Sequence, residues 1–305
     1  MDDSEQSRGP IQPLKPLKSR LLRASRAAAV PQDIVEKDYA LSYVLAGVYG
    51  HDWLRGRLLL KGGTALRRLY FGEYRFSEDL DFSAVDMDAE QPLDEPLRQA
   101  AELALGLLSQ SGPFESSFTR YEEREPHPRA QQAFVIRLRF PWHREALCRL
   151  KLEVTADEPV LLHPEKRRLI HGYEEDLDCA VRCYTLEEIV AEKLRTLLQT
   201  HQKLATRGWN RPRARDYYDL WRVLGEYGDT LRLPVIPGIL REKAAHRGVS
   251  WSTVDDFFTG ELTREATRTW DDSLGPFVAD LPECTSVLAQ LKEMLVPILQ
   301  EAPSG

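Results

Sequence analysis

Apolar positions along the chain switch between a spacing of three to four and a spacing of two, and the switches predict the order of its elements. Two helices are expected over residues 17–29 and 31–49, the second with Pro31 in its first turn and Ile34, Tyr39, Leu41 and Leu45 on its apolar face. The run Leu58-Leu59-Leu60 reads as a short buried strand, closed by Gly62-Gly63 and followed by the helix-competent stretch from Thr64 to Tyr70. A strand over 79–82 and a helix over 93–109 come next. Residues 114–121, 132–140 and 148–154 read as strands of an antiparallel extension: Phe134, Ile136, Leu138 and Phe140 fall two apart, with Arg137 and Arg139 between the later ones. From Thr185 the period becomes helical, opening on Thr185-Leu-Glu-Glu188 as a capping box, with Ile189, Leu194, Leu197 and Leu198 as an apolar face. Further helices are expected over 213–224, 236–245, 253–258 and 285–299. The class predicted is α/β in the α+β sense: a mixed sheet flanked by helices, with a mostly helical C-terminal domain. Its divisions are a polar, proline-bearing mobile tail over 1–14, a core with N-terminal helices over 15–184, and a helical domain over 185–305 that contributes residues to the site.

Composition narrows this picture only slightly. The 305 residues are 42% hydrophobic and 29% charged, ordinary for a globular protein. No apolar run approaches the ~20 residues of a membrane span and the amino terminus is polar, so a cytoplasmic location is expected. Cysteines 148, 179, 183 and 284 lack paired metal-ligand spacing and are expected to be reduced core thiols. A net charge of −7 argues against indiscriminate nucleic-acid binding, yet Lys193 to Arg215 holds seven Lys/Arg and no acid. Within it, Lys203, Arg207, Arg211 and Arg213 surround Trp209, a set suited to RNA phosphates and base stacking; a solvated basic loop gives the same pattern.

The chemistry concentrates in residues 61–82. Glycines 62 and 63 let the backbone approach a ligand without a Cβ in the way, and the following helix start, with Thr64 as its cap, forms an anion-binding concavity that fits a triphosphate. Asp79 and Asp81 stand two apart on a strand and so project from one face, while Leu80 and Phe82 enter the core. Two like charges side by side cost stability, and a divalent cation is the simplest compensation; Mg²⁺, or Mn²⁺, takes hard oxygen ligands from one or two carboxylates plus substrate phosphates. In Leu150-Lys151-Leu152-Glu153-Val154 the alternation puts Glu153 on the outward face, the only nearby acid placed as a third ligand, although an exposed Lys–Glu strand face is also a common solvated arrangement.

Four ordered motifs carry a family resemblance: Lys61-Gly-Gly-Thr-Ala-Leu66; Arg75-x-Ser77-x-Asp79-Leu-Asp81-Phe82; Glu187-Glu-Ile-Val-Ala-Glu192-Lys193-Leu; and Arg215-Asp216-Tyr-Tyr-Asp219-Leu-Trp221, with Val35-Glu-Lys-Asp-Tyr39 upstream. In these the chain resembles the AbiEii/AbiGii nucleotidyltransferase toxins of type IV toxin–antitoxin and abortive-infection systems, members of the DNA polymerase β-like superfamily. The resemblance implies a nucleotidyltransferase-type sheet and transfer of a nucleotide from an NTP to RNA, foremost a tRNA 3′ end, blocking translation until an AbiEi-type antitoxin intervenes without a required stable complex. Lys61, Gly62, Gly63, Thr64, Arg75, Ser77 and Lys193 are then expected at the nucleotide. Asp79, Asp81, Lys193 and Asp216 are expected at the chemistry, with Asp79, Asp81 and Glu153 on the metal. Without the motif Lys193 would read as a helix-surface lysine, and Arg215 with Asp219 as a plain i,i+4 salt bridge. The rival readings are a transferase acting on a protein or small-molecule hydroxyl, and a non-catalytic RNA- or partner-binding module.

Overall fold

Seven strands form one mixed sheet, in the spatial order β3-β4-β5-β2-β1-β7-β6. The structure, a computed structural model, describes residues 14–88, 90–121, 131–207 and 212–299. The tail read over 1–14 lies, but for Leu14, outside them. Central β1 (Leu58–Lys61) is buried at every position, as its unbroken apolar run requires for a strand covered on both faces. It pairs antiparallel with β2 (Asp79–Ala84) and parallel with β7 (Ala180–Cys183). On its other side β2 runs parallel to β5 (Cys148–Thr155), which continues antiparallel into β4 (Gln131–Arg139) and β3 (Glu115–Tyr121). The antiparallel extension and mixed sheet are thus as the alternation predicts.

Helices α1 (Leu17–Ala28), α2 (Gln32–Gly50) and α4 (Asp94–Leu108) fall close to the predicted spans. Val35, Leu41 and Leu45 of α2 and Leu97, Ala101 and Ala104 of α4 join Leu80, Phe82, Leu150, Leu152, Phe134 and Ile136 of the sheet in one hydrophobic core. Between β1 and β2 the chain makes a single α-helical turn, α3 (Gly62–Ala65), then widens into a π-helical turn over Leu66–Phe71 that ends at Gly72 with φ 72°. That widening presents Arg67 and Arg68 inward to buried Asp38, which they hold at 2.7 Å and 2.5 Å.

The C-terminal half is helical: α5 (Leu186–Arg207), α6 (Ala214–Tyr227), α7 (Ile236–His246), α8 (Gly260–Leu274) and α9 (Cys284–Leu299). Two elements go beyond the sequence reading. Helix α8 buries Leu262, Ala266, Trp270 and Leu274, a sparse four-residue spacing diluted by threonines and charges. Edge strand β6 (Glu165–Arg168) is polar throughout, the composition that keeps a sheet edge from pairing with other chains. The capping box at the start of α5 forms only by half: Thr185 accepts the Glu188 amide, but the Glu188 carboxylate turns away to accept the Leu161 and Leu162 amides and to pair with buried Lys243 at 2.8 Å. All four cysteines are free and buried, and burial pushes the Cys148 and Cys183 thiols up to about 12.

Candidate active site

Strand alternation places the acids as their spacing requires. Leu80 and Phe82 are fully buried, Asp79 is exposed and Asp81 half-buried, so both carboxylates leave one face of β2. Their bend is close: a Cβ added to Gly62 would lie 2.8 Å from Oδ2 of Asp81, and Gly62 has φ 71°, a conformation that glycine adopts freely and alanine does not. Gly63 is equally constrained, since a Cβ there would overlap the Arg75 guanidinium. The Thr64 hydroxyl, expected as a helix cap, sits inside the turn instead and donates 2.5 Å to the Asp79 carbonyl, with Ser77 Oγ 2.8 Å away. It therefore fastens the glycine turn to the acid strand. Lys61 makes no capping bond to the turn either, so the first amides of α3 lack a side-chain partner from the preceding residue.

The acids are electrostatically unfinished. Burial, then Glu153, then Asp79 push the Asp81 carboxyl up to about 7, and burial with Glu153 and Glu78 raises Asp79. Glu153 is the register partner of Asp81 across the parallel β2–β5 pair, and its carboxylate is drawn to Lys151 two residues earlier on the same face. Among the described residues no three His, Cys, Asp or Glu side chains gather as a ready-made metal cluster. Two aspartates with an excess of negative charge and only oxygen donors fit a hard divalent cation that brings its remaining ligands from phosphate and water.

Helices α5 and α6 bring cations to the same bend. Asp219 is fully buried and accepts Nε and Nη2 of Arg75, each at 2.6 Å, the Tyr74 hydroxyl at 2.7 Å and Lys193 Nζ at 2.7 Å. Lys193 also donates 2.7 Å to Oδ1 of Asp216, whose other oxygen meets Arg213 at 3.5 Å. Although burial opposes it, Asp216 and Asp219 hold the Lys193 ammonium above its ordinary value; Arg75 and Lys193 hold Asp219 far below the carboxylate range. The lysine is thus a fixed charge, not a helix-surface side chain. The alternative i,i+4 bridge is not formed: Arg215 turns to Glu78 at 3.4 Å and to the Ser273 carbonyl, leaving Asp219 to the buried side of α6 with Leu220 and Val223. Glu78 also pairs with Lys37 at 2.7 Å, so the upstream Val35–Tyr39 motif reaches the rim of the acid strand.

Lys61, expected at the nucleotide, is buried and donates 2.9 Å to Glu192, within a cluster that includes Glu158 and Arg195. It is the register partner of Asp81 and the cation that most lowers that carboxyl. Of the basic set, Lys203 and Arg207 lie on the last turns of α5, Arg213 faces inward to Thr200 and Asp216, and Trp209 and Arg211 lie outside the described residues. Sequence reasoning gave no role to Glu192, a residue of the third motif, and missed Tyr74 and Glu158. Glu192 was visible beside Lys193, but nothing in spacing tied Tyr74 or Glu158 to a partner far along the chain.

A direct consequence concerns the bend. Gly62→Ala forces a left-handed alanine, costing about 1–2 kcal/mol, and drives Asp81 off its position. Denaturant unfolding should show that loss, and transfer activity should fall further than the folded fraction does.

A family model described as the nucleotidyl transferase AbiEii toxin of type IV TA systems matches residues 44–295. In three dimensions the chain is similar to MenT4, the nucleotidyltransferase toxin Rv2826c from Mycobacterium tuberculosis H37Rv, with a TM-score of 0.65 and 23% identity over 94% of this chain and 90% of that one. At that identity the likeness speaks for the fold. Comparison with curated proteins finds no match.

Proposed function

The chain belongs to the AbiEii nucleotidyltransferase toxin family, and from that premise we propose that it transfers a nucleotide from an NTP to a hydroxyl of RNA, foremost a tRNA 3′ end, so arresting translation and growth. The observation that carries this reading is the pair of aspartates with raised pKa held against the Gly62 bend. Asp79 and Asp81 would hold Mg²⁺ or Mn²⁺, with Glu153 on the neighbouring strand as third acid; the bound ion would neutralise phosphate charge and activate the attacking hydroxyl. Gly62 and Gly63 let Asp81 and Arg75 close on the turn whose amides would meet the triphosphate, and Ser77 and Thr64 keep the turn in register with the acids. Lys193, fixed by Asp216 and Asp219, supplies positive charge without reorganising as charge develops on the phosphates. Arg75 is spent on Asp219, so its part is to seat Gly63 and the Lys193 clamp. Lys61 tempers the charge of Asp81 from the adjacent strand. The helical segment from residue 185 thus serves as the half of the site that carries the lysine. Lys203 and Arg207, followed in sequence by Trp209 and Arg211, are candidate RNA contacts. An AbiEi-type antitoxin would be the functional counterpart, with no stable complex required.

Incubation with each α-labelled NTP, a divalent cation and either total RNA or a protein extract tests the reading. Label on RNA, lost on chelation and in Asp79→Ala, is expected; label on protein alone would replace RNA as the acceptor. Absence of any transfer, with growth inhibition equal for wild type and Asp79→Ala, would favour a non-catalytic binder.

A further inference from the structure

The acid strand shares its outward face with the antiparallel extension. Following the pairing registers outward, Asp81 stands opposite Glu153, Glu153 opposite Ala133, and Ala133 opposite Tyr121. Three strand spacings of ~4.8 Å put Tyr121 roughly 14 Å from Asp81, on the same face. The next row out from Asp79 runs Lys151, Val135, Thr119, and the row beyond it Arg149, Arg137, Ser117. The core helices α2 and α4 pack against the opposite face, whose Leu150, Leu152, Phe134 and Ile136 are buried; on this face Ala133 and Val135 are buried too, and the accessible side chains include Tyr121, Arg137 and half-buried Arg149.

Two features of this face are unexplained by folding. Arg137 and Arg149 are direct register partners, and among the described residues no carboxylate pairs with either. Like charges directly opposite on a sheet destabilise it. Beside them Tyr121, 37% exposed, is a large aromatic in the open, with Arg149 at 5.5 Å and Lys151 at 4.9 Å from its ring centroid. An arginine pair without counter-charge among the described residues calls for an anion much as the aspartate pair calls for a cation, and an exposed ring beside it offers a base a stacking partner. The chain as a whole carries −7, so a local cationic face leading to the acids is selective, not a general stickiness.

We propose that this face of β3, β4 and β5 seats the RNA acceptor strand, with phosphates on Arg137 and Arg149 and a base on Tyr121, so that the strand's terminal hydroxyl arrives beside Asp79 and Asp81. The proposal rests on the transferase reading for its direction but predicts RNA binding that is measurable without turnover. A short fluorescein-labelled single-stranded RNA is titrated, in EDTA, against wild type, Tyr121→Ala, Tyr121→Phe and the double variant Arg137→Gln with Arg149→Gln. Tyr121→Ala should bind about tenfold more weakly, with Tyr121→Phe retaining affinity. The double variant should lower the slope of log affinity against log salt by about 1.4. In the transfer assay the same variants should raise KM for RNA and leave KM for the NTP unchanged. Should Tyr121→Ala unfold, the arginine pair carries the test alone. Unaltered RNA affinity and salt slope in folded variants would overturn the proposal, as would transfer to a protein acceptor that these variants weaken. RNA bound as expected yet never labelled would remove the transfer reading and leave the docking face standing.

Discussion

Asp81→Asn should abolish nucleotide transfer and, in the absence of metal, make the protein harder to unfold at neutral pH. The substitution removes one of two aspartates on the strand face, and with it a ligand for the proposed cation; on that proposal a loss of a thousandfold or more, about 4 kcal/mol of transition-state stabilisation, is expected. The stability gain follows from linkage. An aspartate in the unfolded chain ionises near its ordinary value of 3.8, whereas in the folded protein burial and the neighbouring Glu153 and Asp79 hold Asp81 protonated up to about 7. Between those values the folded state binds the extra proton, so stability declines as pH rises through that window and stays depressed above it. Asparagine mimics the protonated form at every pH. After discount for the water that reaches this half-exposed group, the variant should gain roughly 1–3 kcal/mol at pH 8 and almost nothing at pH 4. Urea midpoints in EDTA across that range check it, and added Mg²⁺ should reverse the order by stabilising the wild type alone. Equal pH dependence in the two proteins, or an active variant, would contradict the assignment.

Asp219→Ala should have the largest effect on folding of any single substitution at the site. This carboxylate, with no exposure, joins Arg75, Lys193 and Tyr74. Removing one partner of a buried ion pair strands the others, at a cost of roughly 3–5 kcal/mol. Buried Arg75 and the Tyr74 phenol would lose their carboxylate at once, and Lys193 one of its two. Because its pKa is depressed in the folded state, its contribution is present above the unfolded value near 3.8 and is lost as pH falls well below that. Asp216→Ala, by contrast, leaves Lys193 a second carboxylate and should lower transfer more than stability. Chemical denaturation of both variants at pH 7 separates the roles: similar midpoints would show that Asp219 is no more structural than Asp216.

The acid pair was legible because strand alternation has a period of two and leaves no choice about which residues share a face; full burial of Leu80 and Phe82 on either side of half-buried Asp81 is that rule in operation. The glycine bend was legible for the same local reason. What spacing hid was long-range partnership. Arg75 and Asp219 are 144 residues apart, and only the fold reveals that they are bound to each other. The i,i+4 spacing of Arg215 and Asp219 permits a bridge, the alternative to the motif reading, that does not form: Arg215 pairs with Glu78 and Asp219 with Arg75. Strand β6 escaped notice because an edge strand protected by charge has no apolar signature, and α8 because threonine-rich helices have a weak one. Arg137 reads as an ordinary outward strand residue until the registers set it face to face with Arg149.

The clamp between Arg75 and Asp219 also orders events in time. The aspartates that would grip the metal leave the ribosome with the first third of the chain, while the lysine and the carboxylates that hold it follow more than a hundred residues later. Synthesis therefore delivers the two halves of the chemistry separately. A nascent chain that has not yet passed residue 193 carries the acids without the ammonium.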